Sequence, residues 1–360
     1  MDSIKVATPM HVKNNNNPKA THLIENTALS ILFIFLQKYG MNCFLDCFYN
    51  ICFMKIYALF FYVLVSSSTY GQEKTKDWEF AQNQPAFGEL YETTINQGYL
   101  RGRVVRAWLP EGYFSAKKSF ETVYFHDGQM LFDSTQTWNH QFWDLPNAAQ
   151  RYLSQHQCVF IGIDSHPKNR YAEFFPAPIY PNLPLAVQLS LRDSLWYGLP
   201  LFDAYANALI NDVFPLVENS WNVKRGGDHR TMVGASMGAI VAFTLLLEHP
   251  TELAKVACLS IHLPLIDVWQ YRDRFRDPIA TAFNQFVVEN SFRVEHKAIY
   301  IDRGNQSLDR GYATYFPQFE AALKKFSNRN QVTVKLIRNS GHSEKDWSRR
   351  IGRILAKLMK

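Results

Sequence analysis

Gly234-Ala235-Ser236-Met237-Gly238 is the stretch of this chain whose residue types and spacing most directly suggest chemistry. It fits the G-x-S-x-G pattern, with Met232-Val233 reading as strand before it and 240–247 reading as helix after it. A serine on so sharp a strand-to-helix turn projects its hydroxyl clear of both elements. Glycines on either side let strand and helix approach with no Cβ between them. A hydroxyl is a weak nucleophile at neutral pH, so Ser236 needs a base, and the base needs an orienting acid. The α/β fold that carries such a turn places them in the chain order serine, acid, histidine, beyond later strands. Of the eleven histidines, His342 has the right place, in the small-residue loop Asn339-Ser340-Gly341-His342-Ser343 after the last strand; His126, His262 and His296 do not. For the acid, Asp309 lies in the loop beyond the strand 298–302 and has the reach. The alternatives are that Asp309 caps a following helix, or that Asp302, at the strand end, is the acid.

The oxyanion of an acyl transfer needs preorganised donors. The backbone N–H of Met237 is the first candidate, and that of Gln129 in His126-Asp127-Gly128-Gln129 the second, with Gly128 allowing the turn. His126 and Asp127 with Asp164 and His166 form two isolated pairs and no third ligand set, so no metal site is expected.

The elements that must position these groups alternate. Strands are expected at 90–95, 102–109, 122–126, 158–164, 231–234, 256–260, 298–302 and 331–338. Helices are expected at 203–217, 239–247, 312–326 and from about 345. Short, nearly continuous apolar strands separated by helices predict an α/β fold, a mostly parallel sheet with helices on both faces. The connection between Asp164 and Asp203 is rich in proline and aromatic residues. Tyr171 and Trp196 within it, and Trp138 before it, are the aromatics expected to bind substrate; the alternative is that the insertion simply packs on the domain.

With 47% hydrophobic and 19% charged residues, the 360-residue chain can bury a core, which excludes a disordered protein or a disulfide-stapled miniprotein. The charge of +6 comes from 38 Lys+Arg against 32 Asp+Glu, dispersed without a basic stripe, so nucleic acid is not an expected partner. The five cysteines form no C-x-x-C pair. Met54, Lys55, the apolar run 56–65 and the mostly small residues 66–71 have the layout of a secretory signal peptide cut before Gln72. On this reading 1–53 is a misassigned upstream extension, 54–71 the signal and 72–360 the mature domain, periplasmic or secreted and without a membrane span. The alternative is membrane helices at 28–36 and 43–65. Lys38, Asp46 and Lys55 interrupt them, at roughly 2.5–3.5 kcal/mol for each charge at mid-membrane.

The chain resembles the esterase family related to esterase D, within the α/β hydrolases, over about residues 104–351. The resemblance rests on His126-Asp127-Gly128-Gln129 with Leu131-Phe132-Asp133, and on Asn169-Arg170 through Glu173 to Pro176. It continues through 234–238, the segment 302–309 with Tyr312, and Gly341-His342-Ser343-Glu344 with Trp347 and Arg350. It implies that Ser236 and His342 are catalytic and that Asp309 matches an aspartate in a similar loop. Two departures are Ala239, where many relatives have glycine, and Gly304-Asn305-Gln306, where relatives often carry an acid, which leaves Asp309 and Asp302 both open. Arg170 and Glu173 are expected to pair with each other and fix a loop. The expected function is that of an exported serine hydrolase needing no cofactor, cleaving an acylated saccharide or similar small carboxylic ester through an acyl-enzyme. The alternatives are an acyltransferase to a sugar or lipid hydroxyl, and a non-catalytic carbohydrate- or siderophore-binding relative. The intact Ser236/His342 pair argues against the last.

Overall fold

A computed structural model describes residues 77–153, 158–196, 198–266, 276–326, 329 and 331–360. All belong to the compact unit Thr75–Lys360. The expected upstream extension and signal peptide lie outside the described residues.

Nine strands are present among the described residues: β1 (Glu79–Phe80), β2 (Glu89–Thr94), β3 (Val104–Leu109), β4 (Glu121–His126), β5 (Cys158–Ile163), β6 (Arg230–Ala235), β7 (Lys255–Leu259), β8 (Ala298–Gly304) and β9 (Gln331–Ile337). They form one sheet in the order β1-β2-β3-β5-β4-β6-β7-β8-β9. β1, β2, β3 and β5 pair antiparallel in succession, and every pairing from β5 across to β9 is parallel. The helices are α1 (Leu145–Leu153), α2 (Arg170–Phe174), α3 (Leu185–Leu191), α4 (Phe202–Ala208), α5 (Phe214–Ser220), α6 (Met237–Glu248), α7 (Arg276–Asn290), α8 (Ser307–Gly311), α9 (Phe316–Leu323) and α10 (Glu344–Leu358).

The central strands β5 and β6 are buried at every residue. Because successive side chains leave opposite faces, each strand still divides its residues between two cores. Tyr124, Ile161, Met232, Val256 and Ile299 pack on one face with α6, Phe283 of α7 and Phe319 of α9. Val123, Phe125, Phe160, Val233 and Ala257 pack on the other with Leu145 of α1 and Ile351 and Leu355 of α10. Helix α6 is buried from Met237 through Leu247, which is why its sequence is apolar all round rather than striped.

Two expected helices are subdivided. The segment read as one helix over 203–217 is α4 and α5 joined by a π turn, Leu209–Val213. Pro215 has no N–H to donate to the Asn211 carbonyl, and a widened turn accommodates that loss. The segment 312–326 is likewise broken, into a 3₁₀ turn at Tyr312–Thr314 and α9, with Pro317 in the first turn of α9. Helices α1 and α7 lie where no helix was expected.

Helices α1 and α10 meet closely at Gly352. A Cβ there would sit 2.3 Å from the Ala148 carbonyl oxygen and 2.5 Å from a ring carbon of Tyr152. Gly352→Ala is therefore expected to destabilise the domain by roughly 1–3 kcal/mol through overpacking, measured as a shift in denaturant midpoint at constant slope.

Candidate active site

Ser236 stands between the end of β6 and the start of α6 with φ 58° and ψ −124°, a conformation L-residues rarely adopt. The surroundings hold it there. Its N–H donates to the Leu259 carbonyl at 3.0 Å, and its own carbonyl accepts from His262 N–H at 3.3 Å. Gly234 makes the turn possible, since a Cβ on it would lie 2.0 Å from the Gly238 carbonyl oxygen. Met237 opens the helix, so its N–H has no intrahelical acceptor, while its side chain is buried in the core.

His342 is brought to the site by two stitched loops. Asn305 and Gln306 N–H both donate to the Ser340 carbonyl at 3.0 Å, Asn339 N–H donates to Asn305 Oδ1 at 2.8 Å, and His342 N–H donates to Ser307 Oγ at 2.8 Å. Ser343 caps α10 by accepting from Asp346 N–H at 3.2 Å, and the Asp346 carboxylate accepts from Gly341 N–H at 3.0 Å. The loop after β8 and the loop after β9 are thus one hydrogen-bonded body.

Asp309 is fully buried and its Oδ1 lies 2.6 Å from His342 Nδ1. Its Oδ2 accepts from Ser260 Oγ at 2.6 Å and from Gly304 N–H at 2.5 Å. It sits inside α8 and caps no helix. Asp302 has a different partner: Arg350 of α10 grips it through Nε and Nη2 at 2.8 and 2.9 Å, and Ser260 N–H and Tyr300 O–H also donate to it. Ser260 Oγ joins the two carboxylates' surroundings. It donates to Asp309 and accepts from Trp347 Nε1 at 2.9 Å and Arg350 Nη2 at 3.0 Å, which uses its one proton and both lone pairs. The His342 ring lies edge-on between Trp347, 5.1 Å away, and Tyr312, 5.7 Å away.

Burial alone would raise the Asp309 carboxyl, but the hydrogen bond and charge of His342, with the Ser260 and Gly304 donors, hold it below its ordinary value of 3.8. A carboxyl depressed on folding contributes stability that is present above its unfolded value and lost as pH falls through its folded value. The melting-temperature gap between the protein and Asp309→Asn is accordingly expected to be widest above pH 4 and to close at lower pH, in a pH series of thermal melts.

Ser236 and His342 line one cleft of about 760 Å³ together with Asp127, Gln129, Trp138 and Arg170. It lies at the carboxyl ends of the strands, where β4 has β5 on one side and β6 on the other, the usual place for a site in an open α/β sheet. Gln129 is fixed by Ser165: its Nε2 donates to Ser165 Oγ at 2.8 Å, and its Oε1 accepts from Ser165 N–H at 3.1 Å. The residue that takes the left-handed conformation in this turn is Asp127 (φ 58°), not Gly128. Gly128 serves close approach instead, to the β5 backbone at Gly162 and Ile163.

The expected Arg170–Glu173 pair does not form. Arg170 clamps Asp127 at 2.6 and 2.8 Å, whereas Glu173 is paired with Arg103 and accepts from Tyr99 O–H. Residues three apart on a helix share a face, but here each reaches a different strand connection. Asp164 is held by Arg106, and His166 Nδ1 accepts from the Lys168 and Asn169 N–H groups. Buried His126 lies 2.8 Å from Tyr205 O–H, and burial pushes its imidazole down to about 3.

Of the aromatics expected at the substrate, Trp138 lines the cleft and is 84% exposed. Trp196 packs on Phe175 and Tyr180, and Tyr171 rests half-buried on the core; neither lines the cleft. Most of the insertion is thus packing. The structure adds Trp143 and Trp347 to the cleft wall, and Ser260, Ser307 and Ser340 as the hydroxyls and carbonyl that tie the Asp309 and His342 loops together.

The sheet order, the strained serine turn and the buried Asp309–His342 contact define an α/β-hydrolase fold. The chain belongs to the Putative esterase family, whose sequence model matches residues 100–358. An uncharacterized protein of Bacillus subtilis, YbbA, is 30% identical over 153 residues, which is 42% of this chain and 54% of that protein. The chain therefore matches about half the length of this curated relative. Among solved structures, a ferulic acid esterase superposes with a TM-score of 0.54 at 15% identity, covering 76% of this chain and 98% of that one. An IroE-like serine hydrolase from Shewanella oneidensis gives 0.52 at 18% identity, covering 72% and 76%. At these identities the superpositions show the fold. Among the described residues, no helix is long and apolar enough to cross a membrane.

Proposed function

We propose that the protein is a serine esterase that works through an acyl-enzyme. The observation that carries this reading is the 2.6 Å contact between buried Asp309 and His342 Nδ1, in the cleft that also holds the strained Ser236 turn. Asp309 fixes the ring so that Nε2 is free to take the Ser236 proton. His342 then gives that proton to the leaving alcohol and activates water for deacylation. The Met237 and Gln129 N–H groups bind the oxyanion. The cleft, with Trp138, Trp143 and several side-chain amides, suits an acylated saccharide or a similar small polar ester. Export rests on the 54–71 sequence layout, and the prediction is that protein recovered outside the cytoplasm begins at Gln72, read by intact mass.

Fluorophosphonate labelling followed by peptide mapping tests the mechanism. The expected adduct is on Ser236, and it disappears in His342→Ala. A folded, unlabelled protein would overturn the reading.

A further inference from the structure

The charged groups that line the cleft do not balance. Asp127, Asp164 and Glu344 bring carboxylates to it, against Arg170 as the lining arginine. Arg170 is committed to Asp127, which it clamps at two atoms, so its charge is not open to an anion of the substrate. Asp164 is held by Arg106, which also serves Glu92. Glu344 has no such partner. Among the described residues its side chain makes one hydrogen bond, from Asn139 Nδ2 to Oε2 at 3.3 Å, and no ion pair. Asn139 is oriented for this by its own Oδ1, which accepts from Gln141 N–H at 3.0 Å. Glu344 is 8% exposed, and a carboxylate with so little water and one amide donor is costly unless a cation reaches it. Helix α10 does not account for it either. Its first turn is already served by the Ser343 cap and by Asp346, whose carboxylate accepts from Gly341 N–H and Ser343 O–H. Next to Asn139 stands Trp138, 84% exposed on the cleft wall, with an indole face open to a cation.

We infer that Glu344 and Trp138 form a subsite for a positively charged group of the ester, carried by its leaving alcohol. His342 must reach the leaving oxygen to protonate it, and Glu344 follows His342 two residues on, in the wall of the same cleft. An ammonium group beyond that oxygen meets the Glu344 carboxylate and the Trp138 ring. An anionic alcohol meets the same carboxylate, with the lining arginine already taken by Asp127. This inference rests on the serine-esterase reading above and narrows its small polar ester to that of an amino alcohol or amino sugar.

The test compares acetylcholine with its uncharged carbon analogue, in which a tert-butyl group replaces the trimethylammonium; the two differ in charge and hardly in shape. The full chain is expected to favour acetylcholine by at least roughly fivefold in kcat/KM, as one cation held by a ring and a carboxylate should give. Glu344→Gln is expected to bring that ratio to within about twofold of unity, and Trp138→Ala to lower it by roughly two- to threefold. Trp138 is exposed, so the second variant keeps the inference testable if Glu344→Gln does not fold. Equal kcat/KM for the two esters, or a preference that Glu344→Gln leaves standing, overturns it. Binding tests the subsite without turnover. By calorimetry, choline should bind more tightly than its uncharged carbon analogue and lose that advantage in Glu344→Gln; equal binding of the two overturns the inference. Absence of fluorophosphonate labelling at Ser236 is a separate result that overturns the serine mechanism, and the choline comparison then decides the subsite by itself.

Discussion

Ser236→Ala is expected to lower ester turnover by at least roughly 10⁴-fold while leaving the fold intact, because removing the nucleophile from such a triad leaves only binding and oxyanion stabilisation. The side chain lost is small, and the turn's unusual backbone is held by contacts that alanine retains: the N–H to Leu259 and the carbonyl from His262. Alanine has the same Cβ as serine, so the strain is unchanged. The measurement is kcat on an aryl ester beside a thermal melt. Activity persisting near the original level would mean that water, not Ser236, attacks the ester. A fall in activity with an equal fall in melting temperature would mean that the hydroxyl is a structural group.

The second large effect separates two aspartates seven residues apart. Asp309→Asn is expected to reduce kcat by roughly 10³- to 10⁴-fold, since an amide facing His342 Nδ1 favours the wrong tautomer. Asp302→Asn is expected to act on folding. It takes the charge partner from Arg350, which is buried and gripped at two atoms, and breaking such a pair costs about 3–5 kcal/mol. Urea midpoints and kcat, measured on both variants, should therefore move in opposite proportion: activity first for Asp309, stability first for Asp302. If Asp302→Asn lost activity at full stability, the roles of the two carboxylates would have to be exchanged.

How much of this was legible in the chain depends on how local the signal was. The serine turn is local: strand, glycines and helix lie within about twenty residues, and their readings match β6 and α6 to within two residues at each end. The short apolar strands are also local, and they appear where continuous hydrophobicity placed them. The bond that singles out Asp309 spans 33 residues, and the Ser260–Arg350 contact spans 90. Nothing in the neighbourhood of Ser260 distinguishes it from any serine at a strand end. Arg170 and Glu173 misled for the opposite reason, because nearness in sequence suggested a pair while each had a stronger partner far away. The local signal of helix α7 is weak: Pro278 stands near its start, and only Ile279, Phe283 and Val287, spaced four apart, mark its buried face. In the 164–203 connection, composition showed aromatics without showing which way they turn. Most turn inward.

The buried face of α10 has a bearing on how random mutagenesis of this protein would read. Arg350 does not line the cleft and Trp347 forms only part of its wall, yet both supply the donors that keep Ser260 aimed at Asp309, and Arg350 also reaches Ser340 in the histidine loop. Inactivating substitutions should therefore appear along one stripe of that helix as densely as in the cleft. A map of tolerance drawn without the structure would assign the stripe to substrate recognition. The exposed positions between, such as Arg349 and Arg353, should accept almost any residue, and that alternation would show that the helix serves the reaction from behind.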